Sequence, residues 1–272
     1  MSILVTGAGG LVGSALVRCG GAAVIGVPRQ RLDITDTAAF CAVLDELRPT
    51  AVINAAAQAN VNRAEAAPAE SDQINGHAAA RMAQACAARG VRLVHISTDY
   101  VLDYPDRAEL TEDLPPNPRS AYARSKLIGE RGVLRCGGVV VRVQWVYWPG
   151  TRGFFNLALR RLSSGAPLSL VVDQVGRPTP AAGVARGLLA AAAGGPAGLY
   201  HLACGGEATA QAWIAAAAAH RGLSLSGVSL VRRADLGGAH RPARSCLSSE
   251  KFAAAWGLRL PSWDEALAAA MG

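Results

Sequence analysis

Tyr122 and Lys126 stand four residues apart in Tyr122-Ala123-Arg124-Ser125-Lys126, a spacing that puts both on one face of a helix. A phenol and an ammonium so placed suit delivery of a proton to an oxygen that is gaining negative charge, as when a ketone is reduced. A phenol of ordinary pKa ~10 is a reluctant donor. A neighbouring ammonium is expected to lower that value and to hold the ribose of a nicotinamide. Lys126 is one of only two lysines in the chain, the other being Lys251, so its presence at this spacing carries more weight than in a lysine-rich sequence. The competing reading is a solvated helical lysine beside a packing tyrosine. Upstream, an apolar run ends in His95-Ile96-Ser97-Thr98-Asp99-Tyr100. The Thr98 hydroxyl is placed to hydrogen-bond a substrate carbonyl and complete a Thr/Tyr/Lys triad, with Ser97 as the competing assignment.

Residues 7 to 13 read Gly7-Ala8-Gly9-Gly10-Leu11-Val12-Gly13, directly after Ile3-Leu4-Val5 and before a helical stretch. Gly7, Gly10 and Gly13 supply a tight turn, close backbone approach to a pyrophosphate, and room for helix against strand. The helix N-terminus adds partial positive charge and free N–H groups for phosphates. The alternative is an ordinary strand–helix turn. The second strand ends Val27-Pro28-Arg29, without the acidic residue that would bind the ribose hydroxyls of NAD. A guanidinium suits a 2′-phosphate, so NADPH is expected, with NADH as second choice; a solvated surface arginine is the competing reading. Asp33 and Ile34 are expected beside the adenine, and Ala55, Ala56 and Ala57 where the cofactor crosses the sheet edge. Leu11 and Val12, with Tyr122 and Lys126, complete the expected cofactor contacts.

Elements of the right period must position these groups. Ile3 to Thr6, Val24 to Val27, Ala51 to Asn54, Leu93 to Ser97 and Val139 to Val143 read as buried strands. Ser14 to Cys19, Thr37 to Leu47, Asn75 to Arg89 and Ala121 to Leu134 read as the helices between them. Such alternation predicts an α/β fold, a Rossmann-like doubly wound parallel sheet with ligands beyond the carboxyl ends of its strands. After about Trp148 the pattern loosens. Helices are expected at Phe155 to Ser163, Ala182 to Ala193, Gln211 to Arg221 and Trp263 to Ala270, with strands near Leu168, Gly198 and Val228. The expected division is a dinucleotide-binding domain over 1–148 and a smaller, mainly substrate-binding lobe over 149–272, some of whose segments return to the first domain.

Composition narrows the function classes. With 51% hydrophobic and 17% charged residues, the 272-residue chain has the makings of a substantial core and not of a disordered segment. Its alanine-rich stretches fall far short of the ~20 residues of a membrane span. The opening Met1-Ser2-Ile3-Leu4-Val5 lacks the basic n-region of a signal peptide, so a soluble, cytoplasmic protein is expected. The net charge is +7, but the arginines are scattered, with no run beyond pairs such as Arg160-Arg161 and Arg232-Arg233. That argues against nucleic acid and for an anionic small molecule. Six cysteines without a Cys-x-x-Cys pair, and five histidines without ligand spacing, give no metal site and are read as reduced thiols and ordinary histidines.

The chain resembles the dTDP-4-dehydrorhamnose reductase family of extended short-chain dehydrogenase/reductases nearly end to end. The matching blocks include Ile53-Asn54-Ala55-Ala56-Ala57 with Ala64-Glu65, Ser97-Thr98-Asp99-Tyr100-Val101, Tyr122 through Lys126-Leu127 to Gly129-Glu130, and Trp145-Val146-Tyr147. Asp173-Gln174-Val175-Gly176-Arg177-Pro178-Thr179, Gly198-Leu199-Tyr200-His201-Leu202 and Arg241-Pro242 continue the match. The resemblance implies a 4-keto-6-deoxy sugar on a nucleoside diphosphate, reduced at C4 by hydride from the nicotinamide. It makes Tyr122 the proton donor, Lys126 its electrostatic partner and Thr98 the carbonyl-orienting hydroxyl. It places Asp99, Tyr100 and Trp145 at the substrate, a strand-end aromatic being the other reading of Trp145. Gln174 and Arg177 fall near the lobe junction as substrate contacts, with a structural turn as their competing reading. Asn62 stands where the family often has Asp, Phe154-Phe155 where Asn-Phe is common, and Tyr104 where glycine is usual. Ala15 replaces the glutamate of a magnesium-linked dimer in some relatives, so neither metal nor dimer carries over, and monomer and weak dimer stay open. An epimerase or dehydratase on the same scaffold, and a regulatory subunit that keeps the cofactor fold, are the other readings. Tyr100 in place of a second carboxylate disfavours the dehydratase, and the presence of both Tyr122 and Lys126 disfavours the regulatory subunit.

Overall fold

The computed structural model describes every residue except Met1 and Arg152. Its centre is one parallel sheet of β1 (Ile3–Thr6), β2 (Val24–Val27), β3 (Ala51–Asn54), β4 (Arg92–Thr98), β5 (Val139–Val143) and β6 (Gly198–His201), in the order β6-β5-β4-β3-β1-β2. From β1 the chain winds outward to β2 and then, from β3, the other way. The loops after β1 and β3 therefore flank the point where ligands bind in such sheets.

Both faces of the sheet are covered, which is why β1, β3 and β5 read as unbroken apolar runs. Consecutive residues serve opposite faces. Val5, Ile53 and Val141 pack with Leu16 of α1 (Leu11–Gly20) on one side. Leu4, Val52 and Val140 pack on the other with Phe40 and Leu44 of α2 (Thr37–Leu47) and Met82 of α3 (Ala79–Ala87). α4 (Ala121–Arg135) carries the tyrosine–lysine pair and is followed by α5 (Phe154–Ser164). From the second half, α6 (Ala181–Ala193) packs on α1, and β6 extends the sheet beside β5. α7 (Ala210–His220), α8 (Glu250–Trp256) and α9 (Trp263–Met271) complete the helices used below. Short strand pairs join Val146–Tyr147 to Thr179–Pro180 and Leu168–Val171 to Val228–Val231, over a core of Tyr147, Phe155, Leu170, Trp213 and Leu267. Among the described residues no helix is long and apolar enough to cross a membrane.

Three local differences from the sequence reading have physical causes. α1 begins at Leu11, because the helix is capped by the glycine turn itself at Gly10. The stretch read as one helix from Asn75 opens as a π-helical segment, Asp72–Ala78, before α3; such wide turns recur at functional sites. α8 lacked a long periodic pattern and was not anticipated; buried Phe252 anchors it.

α4 is seated unusually close to its neighbours. A Cβ on Gly129 would lie 2.3 Å from the Asn75 carbonyl oxygen, and one on Gly132 would lie 2.4 Å from Ala80 Cβ. Its first turn is capped twice: Ser120 Oγ accepts from Ala123 N–H at 3.2 Å, and Glu65 accepts from Ala121 N–H at 2.6 Å. Further along, Glu130 receives both arms of Arg142 from β5, at 2.8 and 2.7 Å. Both partners of this ion pair are about 1–2% exposed. Arg142 also donates to His201 Nε2 at 3.3 Å, while His201 Nδ1 faces the Leu110 carbonyl at 3.2 Å. The imidazole therefore carries its proton on Nδ1, and burial together with the Arg142 charge holds it down to about 3.

Removing one partner of a buried ion pair strands the other charge at a cost of ~3–5 kcal/mol. Glu130→Ala is expected to lower the unfolding free energy from urea titration by that much, whereas Glu70→Ala, which breaks the exposed Arg63–Glu70 pair, should cost ~0–1 kcal/mol. Equal losses in the two variants would contradict the assignment of α4's anchor.

Candidate active site

The glycine turn is built for backbone contact. Gly7 has φ of 68°, and a Cβ there would lie 2.6 Å from Ala56 N. A Cβ on Gly13 would lie 2.1 Å from the Gly7 carbonyl oxygen, so Gly13 is the seat of the turn and not part of the cleft surface. At Gly9 the same atom would meet open space. Among the described residues no side chain caps α1, which suits its first N–H groups to an anion. A cleft of about 400 Å³ runs over Gly7, Gly9 and Gly10, past Arg29, Asp33 and Ile34, to Ala55, Ala56 and Ala57. Leu11 and Val12 instead pack against the core behind the turn. Arg29 reaches Asp33 at 3.6 Å, both largely exposed. Asp33 also accepts from the N–H and hydroxyl of Thr35 at 2.9 and 2.8 Å, which hold its carboxyl below the usual range, with Arg29 adding to the effect.

Tyr122, Thr98 and Lys126 meet at the carboxyl end of β4. Thr98 donates to Asp99 at 3.1 Å and lies beside the Tyr122 phenol. It is the Thr98 hydroxyl, and not that of Ser97, that lies at the Tyr122 phenol; the Ser97 hydroxyl is buried without a partner among the described residues. Tyr100 stands edge-on to Tyr122, ring centres 5.9 Å apart. Burial pushes the Tyr122 phenol up to about 12; the Thr98 hydroxyl pulls it part of the way back, and Asp99 adds to the rise. The sequence-based expectation of a phenol lowered by Lys126 is thus corrected. Lys126 is buried and turned to the strand, donating to the Ile96 carbonyl at 2.6 Å and facing His95 Nε2 at 3.4 Å. Burial pulls Lys126 down to about 8, against the opposing pull of Glu130. Burial likewise pushes Asp99 up to about 7, against the Ser245 and Thr98 hydroxyls.

A second cleft, about 490 Å³, opens over the smaller lobe. Expected residues Tyr100, Trp145 and Gln174 line it, together with Asn62, Phe154, Phe155, Trp213, Arg233 and Arg241. Trp145 has φ of 42°, rare for a bulky side chain and a marker of a constrained site. Its indole lies over Gly176, where a Cβ would come within 2.6 Å. Arg177, expected at the substrate, is instead a brace: it donates to the Leu247 carbonyl at 2.6 Å and to Glu109 at 2.8 Å. Both Nη atoms are engaged by neighbouring chain, as in the structural-turn reading, and Arg177 is not among the residues that line this cleft.

Arg233 and Arg241 converge on the Ala239 carbonyl, at 2.8 and 3.1 Å, and Asn62 accepts from Arg241 at 3.4 Å. Among the described residues, neither guanidinium has a carboxylate within 4.0 Å. An aspartate at position 62 would neutralise Arg241; the amide leaves its charge to an incoming anion. Sequence reasoning noticed the Arg232-Arg233 pair and the Arg241-Pro242 block without assigning either to the site, and it missed Trp213 within an alanine-rich helix. The unused signal was arginine beside turn residues in a segment poor in acidic groups.

The family model described as "RmlD substrate binding domain" matches residues 1–272. The chain is 37% identical over 212 residues to a dTDP-4-keto-6-deoxy-D-glucose reductase of Streptomyces niveus, covering 76% of this chain and 74% of that protein. It is 34% identical over 290 residues to a dTDP-4-dehydrorhamnose reductase of Burkholderia thailandensis, covering 98% and 97%. The crystal structure of dTDP-4-dehydrorhamnose reductase from Bacillus anthracis in complex with NADP superposes with a TM-score of 0.90 at 27% identity, over 99% of this chain and 98% of that one.

The raised Asp99 value makes a linked prediction. A carboxyl that binds its proton more tightly when folded stabilises the protein below its unfolded pKa and loses that contribution as pH rises through the folded value, here from about 4 to about 7. Over that window the stability advantage of Asp99→Asn over wild type should grow steadily in urea unfolding. A constant difference would mean that Asp99 is not held protonated.

Proposed function

The chain belongs to the RmlD substrate binding domain family, and on that premise we propose that it is an NADPH-dependent reductase of the C4 ketone of a nucleotide-linked 4-keto-6-deoxyhexose. dTDP-4-dehydro-L-rhamnose, giving dTDP-L-rhamnose, is the substrate this reading puts first, in the cytoplasm. The carrying observation is the grouping of Tyr122 and Thr98 at the end of β4, with Tyr100 leading from them into the second cleft. Residues 1–148 hold the cofactor in this reading and residues 149–272 supply most of the sugar-nucleotide site.

The first cleft fits a dinucleotide. The close approach at Gly7 and the uncapped start of α1 suit a pyrophosphate, and exposed Arg29 suits a 2′-phosphate that competes with its weak Asp33 contact. When bound, the cofactor supplies the hydride for C4. The chain supplies the proton and the positioning. Tyr122, kept protonated through the neutral range by its raised pKa, gives its proton to the carbonyl oxygen as that oxygen gains charge. Thr98 orients the same oxygen, and Lys126 holds the nicotinamide ribose. Arg233 and Arg241 take the diphosphate of the sugar nucleotide, a pair of planar donors against a group rich in acceptor oxygens. Trp145 offers its face to the sugar ring.

Oxidation of NADPH with dTDP-4-keto-6-deoxy sugar, with and without the C3/C5 epimerase, tests this. Turnover confined to the epimerised sugar supports the rhamnose reading. Turnover without the epimerase assigns a D-series sugar, and no turnover with either overturns the substrate class. Tyr122→Phe is expected to lower kcat by about 10²-fold or more with NADPH affinity intact; retained turnover would remove Tyr122 as the acid. Arg29→Ala should weaken NADPH about ten-fold more than NADH, the scale of one charge-assisted contact. Equal losses, read by fluorescence titration, would refute the 2′-phosphate contact.

A further inference from the structure

The parallel register sets Thr6 opposite Asn54, and Asn54 opposite His95. Their side chains form one buried polar row across three strands. The Thr6 hydroxyl donates to Asn54 Oδ1 at 2.8 Å, and Ala56 N–H, in the wall of the first cleft, donates to the same oxygen at 3.1 Å. A backbone N–H cannot reverse its role. The Asn54 oxygen is therefore committed to this side, and its amide nitrogen points to His95 Nδ1 at 3.1 Å. An amide nitrogen only donates, so Nδ1 accepts. His95 is wholly buried and held neutral, by burial first and the Lys126 charge second. A neutral imidazole that accepts at Nδ1 carries its proton on Nε2, the atom that faces Lys126 Nζ at 3.4 Å.

This direction matters to Lys126. As an ammonium, Nζ has no lone pair and meets the Nε2–H donor to donor. As an amine it accepts from Nε2–H while still donating to the Ile96 carbonyl. We propose that His95 is a positioning residue that loosens the hold of Lys126 on its proton, its tautomer locked from the cofactor side through Ala56 and Asn54. The buried His201 has the opposite tautomer, because its Nδ1 faces a carbonyl and its Nε2 an arginine. Gly129 permits the approach: a Cβ there would lie 3.3 Å from His95 Nε2.

The other charged or titratable groups around Lys126 do not supply the same bias. Tyr122 and Glu130 share its helix, and Glu130 is engaged by Arg142 from β5. Asp99 follows β4 and is itself shifted toward the protonated form. The segments packed across α4 bring Glu65, held by Ala121 N–H, the Arg63–Glu70 pair, Asp72, exposed His77 and, from α3, Arg81, bonded to Thr37. The inference deepens the reading of Lys126 above and rests on it for its catalytic meaning. A lysine that releases its proton near neutrality is able to return one to the phenolate left on Tyr122, and to regain it from solvent.

With only two lysines in the chain, the test is direct. In protein labelled at lysine Cε with 13C, two NMR signals are expected, distinguished by Lys251→Arg. Lys126 should titrate well below the ordinary lysine value of ~10.4. In His95→Gln, whose amide oxygen is able to face the ammonium, its midpoint should rise by about one pH unit or more, a ten-fold gain in proton affinity, with Lys251 unmoved. An unmoved Lys126 midpoint in folded His95→Gln overturns the proposal. So does a variant-free result: 15N histidine shifts of the wild type should show Nε2–H at His95 and Nδ1–H at His201, and Nδ1–H at His95 is fatal. Neither readout involves turnover, so both stand apart from the fate of the sugar-reductase reading.

Discussion

The close seating of α4 is the constraint on which the rest of the site depends. Gly129 and Gly132 lie three residues apart on one face of the helix, where Cβ atoms would strike Asn75 and Ala80. Without side chains there, the helix settles against the π-helical segment and α3. Asn75 then bonds both Ser125, at 3.0 Å, and the Gln58 backbone, so the same residue ties α4 to the loop beyond the first cleft. A helix displaced by one methyl layer would carry Tyr122 away from Thr98 and Lys126 away from Ile96. The double cap at Ala121 and Ala123 and the Glu130–Arg142 pair fix the two ends of the same element.

Charge is distributed across the two clefts with a consistent logic. The first uses backbone N–H groups and exposed Arg29, and the carboxylates that line it are already engaged, Asp33 by Thr35 and Glu70 by Arg63. The second gathers two half-buried arginines and an amide at Asn62 where a carboxylate would have cancelled them. Its apolar wall comes from Trp145, Phe154, Phe155 and Trp213, the last stacked on Phe155 with ring centres 5.2 Å apart. Trp145 is held in a positive-φ conformation over Gly176. Conformations of this kind cost of order 1–3 kcal/mol and persist only where surrounding packing over-determines them.

Buried polar groups elsewhere in the molecule obey the same rule of directed satisfaction. Thr6, Asn54, His95 and Lys126 form a row in which each donor meets an acceptor only for one choice of tautomer and one choice of lysine proton count. Glu130, Arg142 and His201 form a second row with the opposite histidine tautomer. In a low-dielectric interior, a mismatched buried donor costs about as much as a lost hydrogen bond. Such rows therefore transmit a constraint from one end to the other without any movement of the backbone.

Much of this was legible in the linear chain. Short β-branched runs spaced by alanine-rich helices specify a doubly wound sheet because each strand must be apolar on both faces. The boundaries of Ile3–Thr6, Val24–Val27, Ala51–Asn54 and Val139–Val143 followed from that pattern alone. The glycine turn and the Tyr122–Lys126 spacing were equally readable, since their meaning is local: a positive φ, a helix start, one turn of helix. Other features depended on which distant segments meet. Nothing near Arg177 indicated that Glu109 and Leu247 would claim it, and nothing near Asn62 indicated Arg241. The direction of Lys126 was decided by strand register and by how closely a glycine-faced helix approaches β4. Local periodicity determines what each segment becomes, whereas the partner and charge state of a side chain depend on three-dimensional proximity and desolvation, which exist only once the chain has packed.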